Sequence, residues 1–74
     1  MKKFDIHSAM SGARVITKGG TEVFNIHHLD KCRDPHCVVG VSEYGTILTW
    51  TIDGVYGKTD DQIESLSYMD LLLD

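Results

Sequence analysis

The residues best suited to chemistry lie in one short segment, where five potential metal ligands fall within eleven positions: His27, His28, Cys32, His36 and Cys37. Tetrahedral zinc takes four Cys or His ligands, but this spacing matches no standard zinc finger. If each adjacent pair lies in a strand, its two side chains point to opposite faces. About three ligands then remain, for example His28, Cys32 and Cys37, with the fourth missing or supplied by another subunit. Because either member of the pair His36 and Cys37 could take part, the candidate metal ligands are His28, Cys32, His36 and Cys37. We expect no cofactor, with a small zinc-stabilised structural or interaction module as the alternative.

The same segment could instead hold a nucleophilic thiol. Lys31 and Arg33 flank Cys32, and an electropositive setting favours the reactive thiolate. A catalytic thiol also needs a base, an orienting group and an oxyanion hole, and the sequence does not supply the last two. We therefore expect that the chain is not an enzyme. A disulfide between Cys32 and Cys37 is disfavoured because the expected compartment is the reducing cytoplasm.

Two charged features are better explained by structure than by chemistry. The carboxylates near the C-terminus follow no calcium-loop spacing, and they suit a solvated acidic edge that discourages aggregation between sheets; they are Asp60, Asp61, Glu64, Asp70 and Asp74. The run from Lys18 to Thr21 has two glycines but lacks the spacing of a phosphate-binding loop, so it predicts a hairpin turn.

Aromatic side chains provide the candidate binding surface. Trp50 and Tyr56 flank the Asp53-Gly54 turn signal and would be partners across a hairpin. Such aromatics usually pack in a core, but interfaces use them as well. With Tyr44 and the apolar Leu72, they are the residues that we expect to contact a ligand or a partner.

The elements that would position these residues are mostly strands. Apolar spacing predicts a short helix over Phe4 to Met10, with Asp5 as its cap and Gly12 at its end. Strands are predicted over 13–17, 21–27, 37–41 and 46–52, with a returning strand from Val55. Phe24, Ile26 and His28, at alternate positions in the strand 21–27 and directly after it, are expected to share one face of the sheet. The region 58–64 is expected to be polar and exposed, and 66–73 to be a strand or a short helix. The fold class is mainly β with a minor α component: a short N-terminal helix followed by a four- or five-stranded antiparallel meander or small barrel.

Length and charge restrict the function classes. The chain has 74 residues, 42% hydrophobic and 24% charged, which predicts one small domain over 1–74. Its net charge of −4 disfavours direct binding to nucleic acid. The absence of a long apolar run argues against a membrane span and a signal peptide. A domain of this size has a limited core, and the apolar segment around Leu72 leaves surface to cover, so we expect a homo-oligomer, most simply a two-fold dimer.

Scattered landmarks along nearly the whole chain resemble a group of small, mostly uncharacterised proteins encoded by bacteriophages and prophages. These landmarks are Phe4-Asp5, Ala9, Gly12, the V-x-T-K-x-G run 15–20, the strand 38–41, the T-x-D-G-x-Y run 51–56 and the S-x-x-D-L run 67–71. Relatives typically read V-x-T-R-D-G in the first run and have a shorter connection in place of 30–36. The resemblance implies phage origin and a compact β fold, and it carries over no catalytic residue. The lack of a signal-peptide pattern favours an intracellular location, which for a phage protein is the cytoplasm of the host cell. The expected function is that of a non-enzymatic accessory protein that binds a host protein, as inhibitors of host defence do, or sequesters a small ligand.

Overall fold

The computed structural model describes residues 2–74, which form one six-stranded antiparallel sheet with two short α-helices. In chain order the elements are β1 (Lys2–Lys3), α1 (Ile6–Met10), β2 (Val15–Thr17), β3 (Glu22–His28), β4 (Val38–Ser42), β5 (Ile47–Trp50), α2 (Asp60–Ser65), a 3₁₀ turn (Ser67–Met69) and β6 (Leu71–Leu73). The mainly β class with a short N-terminal helix is confirmed, and the sheet is open rather than clearly a barrel. Asp5 caps α1 as predicted, because its carboxylate accepts hydrogen bonds from the His7 amide and the Ser8 hydroxyl.

The strand order is β1-β6-β2-β3-β4-β5, so only β2 to β5 form a meander. The final strand, β6, lies between β1 and β2, with Leu72 opposite both Lys3 and Ile16. The prediction of a returning strand from Val55 was wrong, because the chain leaves the sheet after β5 and forms α2 before it returns as β6. Of the two alternatives left open for 66–73, the chain forms a 3₁₀ turn at Ser67–Met69 and a strand at Leu71–Leu73, where the side chains alternate as a strand requires.

A β-bulge in β3 decides which side chains point inward. Phe24 pairs with Val41 and His27 pairs with Val39, so β3 uses one residue more than β4 between these two pairs. The extra residue is accommodated at Asn25, whose φ of 56° is left-handed, a conformation that Asn tolerates better than most residues. The prediction that Phe24 shares a face with Ile26 and His28 was therefore wrong for Phe24, which the bulge places on the opposite face. Ile26 packs against the core, whereas Phe24 and His27 are exposed.

The core lies on one face of the sheet, which we call the inner face, beneath α1 and the chain that follows β5. Val38 and Trp50 are fully buried there, and the other buried apolar residues are Phe4, Ile6, Ala9, Val15, Val23, Leu71 and Leu73. The Trp50 indole N–H donates to the Met69 carbonyl at 2.8 Å, which satisfies the polar atom of the largest buried side chain. Gly40 lies opposite the bulge on this face and leaves the space that Ile26 and Trp50 occupy.

Three tight turns share one design, in which a Ser or Thr is followed three positions later by a glycine with φ between 85° and 94°. The turns begin at Thr17, Ser42 and Thr51. In each turn, the hydroxyl of this first residue accepts a hydrogen bond from the amide four positions later, at 3.0–3.2 Å. The positive φ explains each glycine, since other residues adopt it at a cost. The turns predicted at Gly20, Gly45 and Gly54 are confirmed.

Candidate functional site

The four candidate metal ligands do not converge. His28 ends β3, Cys32 and His36 lie in the hairpin loop, and Cys37 directly precedes β4. Within residues 2–74, no group of three or more His, Cys, Asp or Glu side chains is arranged to hold a metal ion. Both cysteines are free thiols, Cys32 exposed and Cys37 half-buried, and the Cys32 sulfur lies 3.7 Å from the Asp34 carbonyl. These four residues therefore do not form a preassembled zinc site.

His36 instead connects the hairpin loop to the chain that follows β5. Its side chain is only 8% exposed, and its Nε2 lies 3.1 Å from the Tyr56 carbonyl and 3.2 Å from the Gly57 carbonyl. Because carbonyl oxygens only accept hydrogen bonds, Nε2 carries the hydrogen. The Asp34 carboxylate fixes the same loop by accepting the His36 backbone amide at 2.8 Å. His36 thus holds the hairpin loop against the chain that follows β5.

A groove of about 740 Å³ opens beside His36, between the hairpin loop and α2. Its apolar lining comes from Pro35, Ile52, Val55 and Ile63, and its charged lining from Asp34, Asp53 and Lys58. Ile52 and Ile63 are each 45% exposed, although both line a concave site. The arrangement suits an apolar group with a charged substituent, and we refer to it below as the groove.

A second candidate surface lies on the outer face of the sheet, opposite the core. Phe24 pairs with Val41, and Val41 pairs with Ile47, so the three side chains form a row across β3, β4 and β5 that we call the outer row. Phe24 is 45% exposed and Ile47 is 70% exposed, so no part of residues 2–74 covers the row fully. The residues Ile16 and Leu72 occupy the same face further along the sheet and are half-buried.

The predicted aromatic site is not assembled as one surface. Trp50 is fully buried and Tyr56 packs against it with ring centroids 6.3 Å apart, so the core-packing alternative describes this pair. Trp50 is consequently out of reach of a partner. Tyr44 is exposed in the turn between β4 and β5, and Leu72 lies on the outer face. Sequence reasoning missed Phe24 as a surface residue because it placed Phe24 on the same face as Ile26, and the bulge puts these two residues on opposite faces.

The acidic C-terminal residues divide into an exposed group and a structural group. Asp60, Asp61 and Glu64 are exposed on α2, as expected of a solvated edge. Asp70 is instead largely buried. One of its carboxylate oxygens accepts a hydrogen bond from the Tyr56 amide at 2.9 Å, and the other lies 3.9 Å from the Lys18 ammonium.

Asp74 is likewise held in place, since it pairs with the Arg14 guanidinium, which also bonds Glu22. The hydrogen bond to Glu22, together with the charges of both carboxylates, raises the pKa of Arg14 above its ordinary value. The end of β6 is therefore tied to the sheet by charge as well as by strand pairing.

Three of the landmark runs that resemble the phage proteins meet around Asp70. The Lys18 amide donates to the Asp70 carbonyl, the Gly19 amide to the Tyr68 carbonyl, and the Leu71 amide to the Gly54 carbonyl, each at 2.8–2.9 Å. The runs 15–20, 51–56 and 67–71 thus form one hydrogen-bonded junction. Its contacts are mainly between backbone atoms, so these runs are explained by folding without invoking a ligand.

Comparisons with protein-family models, with curated proteins and with solved structures found no match to this chain. The resemblance to phage-encoded proteins therefore stays a prediction. Within residues 2–74, neither helix has the length and apolar character required to cross a membrane.

Proposed function

We propose that this protein acts by binding another protein and catalyses no reaction, and that the outer row is the contact surface. The observation that carries this proposal is the exposure of Phe24 and Ile47 on a continuous apolar row. Exposed apolar patches on small domains usually mark interaction sites, because leaving them in water is unfavourable. In the setting that the resemblance implies, the protein is a phage accessory protein and its partner is a host protein.

The chemistry of the row supports a protein partner more than a small ligand. The row lies on the surface of a sheet and spans three strands, which gives an extended contact rather than an enclosed pocket. Aromatic side chains such as Phe24 are enriched at the centres of protein interfaces. The net charge of −4 adds no attraction for nucleic acid.

Site-specific photocrosslinking in the host cell tests the proposal. A benzophenone side chain would replace Phe24 in one variant and Tyr68, an exposed aromatic residue away from the outer row, in the matched control. We expect a discrete protein adduct from position 24 only, and we expect the adduct to disappear when Ile47→Lys is added. Equal adducts from both positions, or none from position 24, would contradict the proposal. An adduct formed only with a second copy of this chain would replace the host partner with self-association.

A further inference from the structure

We propose that the groove is a second binding site, independent of the outer row, which takes an apolar side chain from a basic segment of a partner protein. Two exposed isoleucines, Ile52 and Ile63, line it together with Pro35 and the half-buried Val55. An aliphatic or aromatic side chain that entered the groove would remove both isoleucines from water, which is the main source of affinity for such a contact.

The walls of the groove are fixed before any partner arrives. On one side, the bonds from His36 Nε2 to the carbonyls of Tyr56 and Gly57 hold the hairpin loop in place. On the other side, Thr59 caps α2 by accepting the Gln62 amide, while the Gln62 side chain accepts the Lys58 amide. A site that is already ordered loses less entropy when it binds.

Gly57 brings these two walls together. A Cβ atom at this position would lie 2.5 Å from the backbone carbonyl carbon of Gln62, so only glycine allows α2 to approach so closely. The contact is with backbone, which a change of side-chain rotamer cannot relieve. The position of Ile63 along the groove therefore depends on Gly57.

Charge identifies the kind of segment that fits. The stretch from 51 to 66, which forms most of the groove, carries four acidic residues and one lysine, a net charge of −3 out of −4 for the whole chain. Asp53 and Lys58 form no salt bridge within the described part of the chain. Asp34, whose carboxylate lies 3.7 Å from His36 Nδ1 and is 60% exposed, adds a further acidic group at the lining. A segment with Lys or Arg beside its apolar residue would be attracted, whereas an acidic segment or a phosphate group would be repelled.

A displayed library of random dodecapeptides, selected on the full chain, tests the inference without assuming a natural partner. We expect the selected peptides to share an aliphatic or aromatic residue with Lys or Arg within three positions. A synthetic peptide of the selected sequence should perturb the amide resonances of Ile52, Gly57 and Ile63 in a saturable way. Replacement of its basic residues by Glu should abolish binding.

Variants of the chain then locate the site. We expect Ile63→Gln to weaken peptide binding about fivefold through lost apolar contact, and Asp53→Asn to weaken it about threefold through lost charge attraction. Ile47→Gln, which removes an exposed isoleucine from the outer row, is the matched control and should leave binding unchanged. Circular dichroism and the fluorescence of Trp50 check that each variant is folded.

The inference would be overturned by a library that enriches nothing, by a consensus without basic residues, or by binding that Ile63→Gln leaves intact. Resonance changes confined to Phe24, Val41 and Ile47 would also overturn it while supporting the outer row as a contact surface. Failure of the groove and failure of the proposed function are thus distinguishable.

Discussion

Replacing Gly40 with alanine tests the packing between the bulge in β3 and the core. A Cβ atom built on Gly40 lies 2.7 Å from Val23 Cγ1, 2.8 Å from Ile26 Cδ1 and 3.3 Å from Trp50 Cζ3. The first two distances are roughly 0.7–0.8 Å inside the ~3.5 Å lower limit of a favourable carbon–carbon contact. Val23 is buried in the sheet and cannot withdraw by a simple rotation, so β3 and β4 must separate slightly.

The expected magnitude is a balance of two effects. Overpacking of a core typically costs about 1–3 kcal/mol, while replacing a glycine with alanine recovers about 0.4–1 kcal/mol by restricting the unfolded chain. Gly40 has no positive φ, so the substitution adds no backbone strain. We therefore expect Gly40→Ala to lower the free energy of unfolding by about 0.5–2 kcal/mol.

Urea unfolding followed by fluorescence measures this change directly, because Trp50 is the only tryptophan and is fully buried. Val41→Ile is the matched control, since it adds a methyl group to the same strand on the outer face and should change stability by less than about 0.5 kcal/mol. Ile26→Val removes the Cδ1 atom, which lies 2.8 Å from a Cβ atom at position 40. The double variant Gly40→Ala/Ile26→Val should therefore be more stable than the sum of the two single changes predicts.

Two outcomes would refute this reasoning. Gly40→Ala could be as stable as the wild-type chain, which would mean that the space opposite the bulge is larger than described. Alternatively, the effects of Gly40→Ala and Ile26→Val could add without coupling, which would show that the Ile26 contact carries none of the strain.

Further expectations concern the turns, α1, self-association and metal. Ser42→Ala should cost about 1 kcal/mol, because the Ser42 hydroxyl accepts two turn amides, whereas Ser42→Thr should cost less since it keeps the hydroxyl; equal urea midpoints for the two variants would contradict this. The hydrogen bond from Ser8 lowers the pKa of Asp5. The ionised Asp5 carboxylate therefore stabilises the fold at pH values above the ordinary carboxyl pKa, and this contribution is lost as the pH falls through the lower pKa of the folded state. The difference in thermal midpoint between wild type and Asp5→Asn should therefore shrink on acidification, and a difference that stayed constant would refute the assignment. Sedimentation at micromolar concentration should give a dimer that Leu72→Asp dissociates with the fold intact, and an 8.3 kDa wild-type monomer would exclude it. A chelator should leave the thermal midpoint unchanged, and about one zinc per chain together with destabilisation on its removal would reverse that expectation.

The sequence was most informative where a local rule determines the structure. The glycine turns, the Asp5 cap and the strands β4 and β5 follow from backbone preference and from β-branched composition, and each lies within two residues of its predicted place. The helix α2 was missed although its start, Thr59 followed by Gln62, is a recognisable capping pattern. Its apolar content is low and none of its residues is buried, so the segment has no apolar periodicity that would indicate a helix.

The remaining features depend on contacts between distant parts of the chain. The two residues of β1 form a strand only because they pair with β6. The position of His36 is set by carbonyls twenty and twenty-one residues later, which no local pattern indicates. The groove and the outer row were not predicted for the same reason, since the first needs the hairpin loop beside α2 and the second needs the register of three strands.

The bulge at Asn25 also determines which changes in the length of β3 keep the core intact. Phe24 points outward and Ile26 inward although they are two positions apart, because Asn25 is an extra residue between them. Deleting Asn25 would pair Ile26 with Gly40 in regular register, and Ile26, His27 and His28 would keep their faces. A regular strand of unchanged length would instead turn Ile26 to solvent and His27 toward Trp50 and Val38. Asn25 is thus a residue that β3 can lose, but cannot absorb into a regular strand, even though its side chain is exposed.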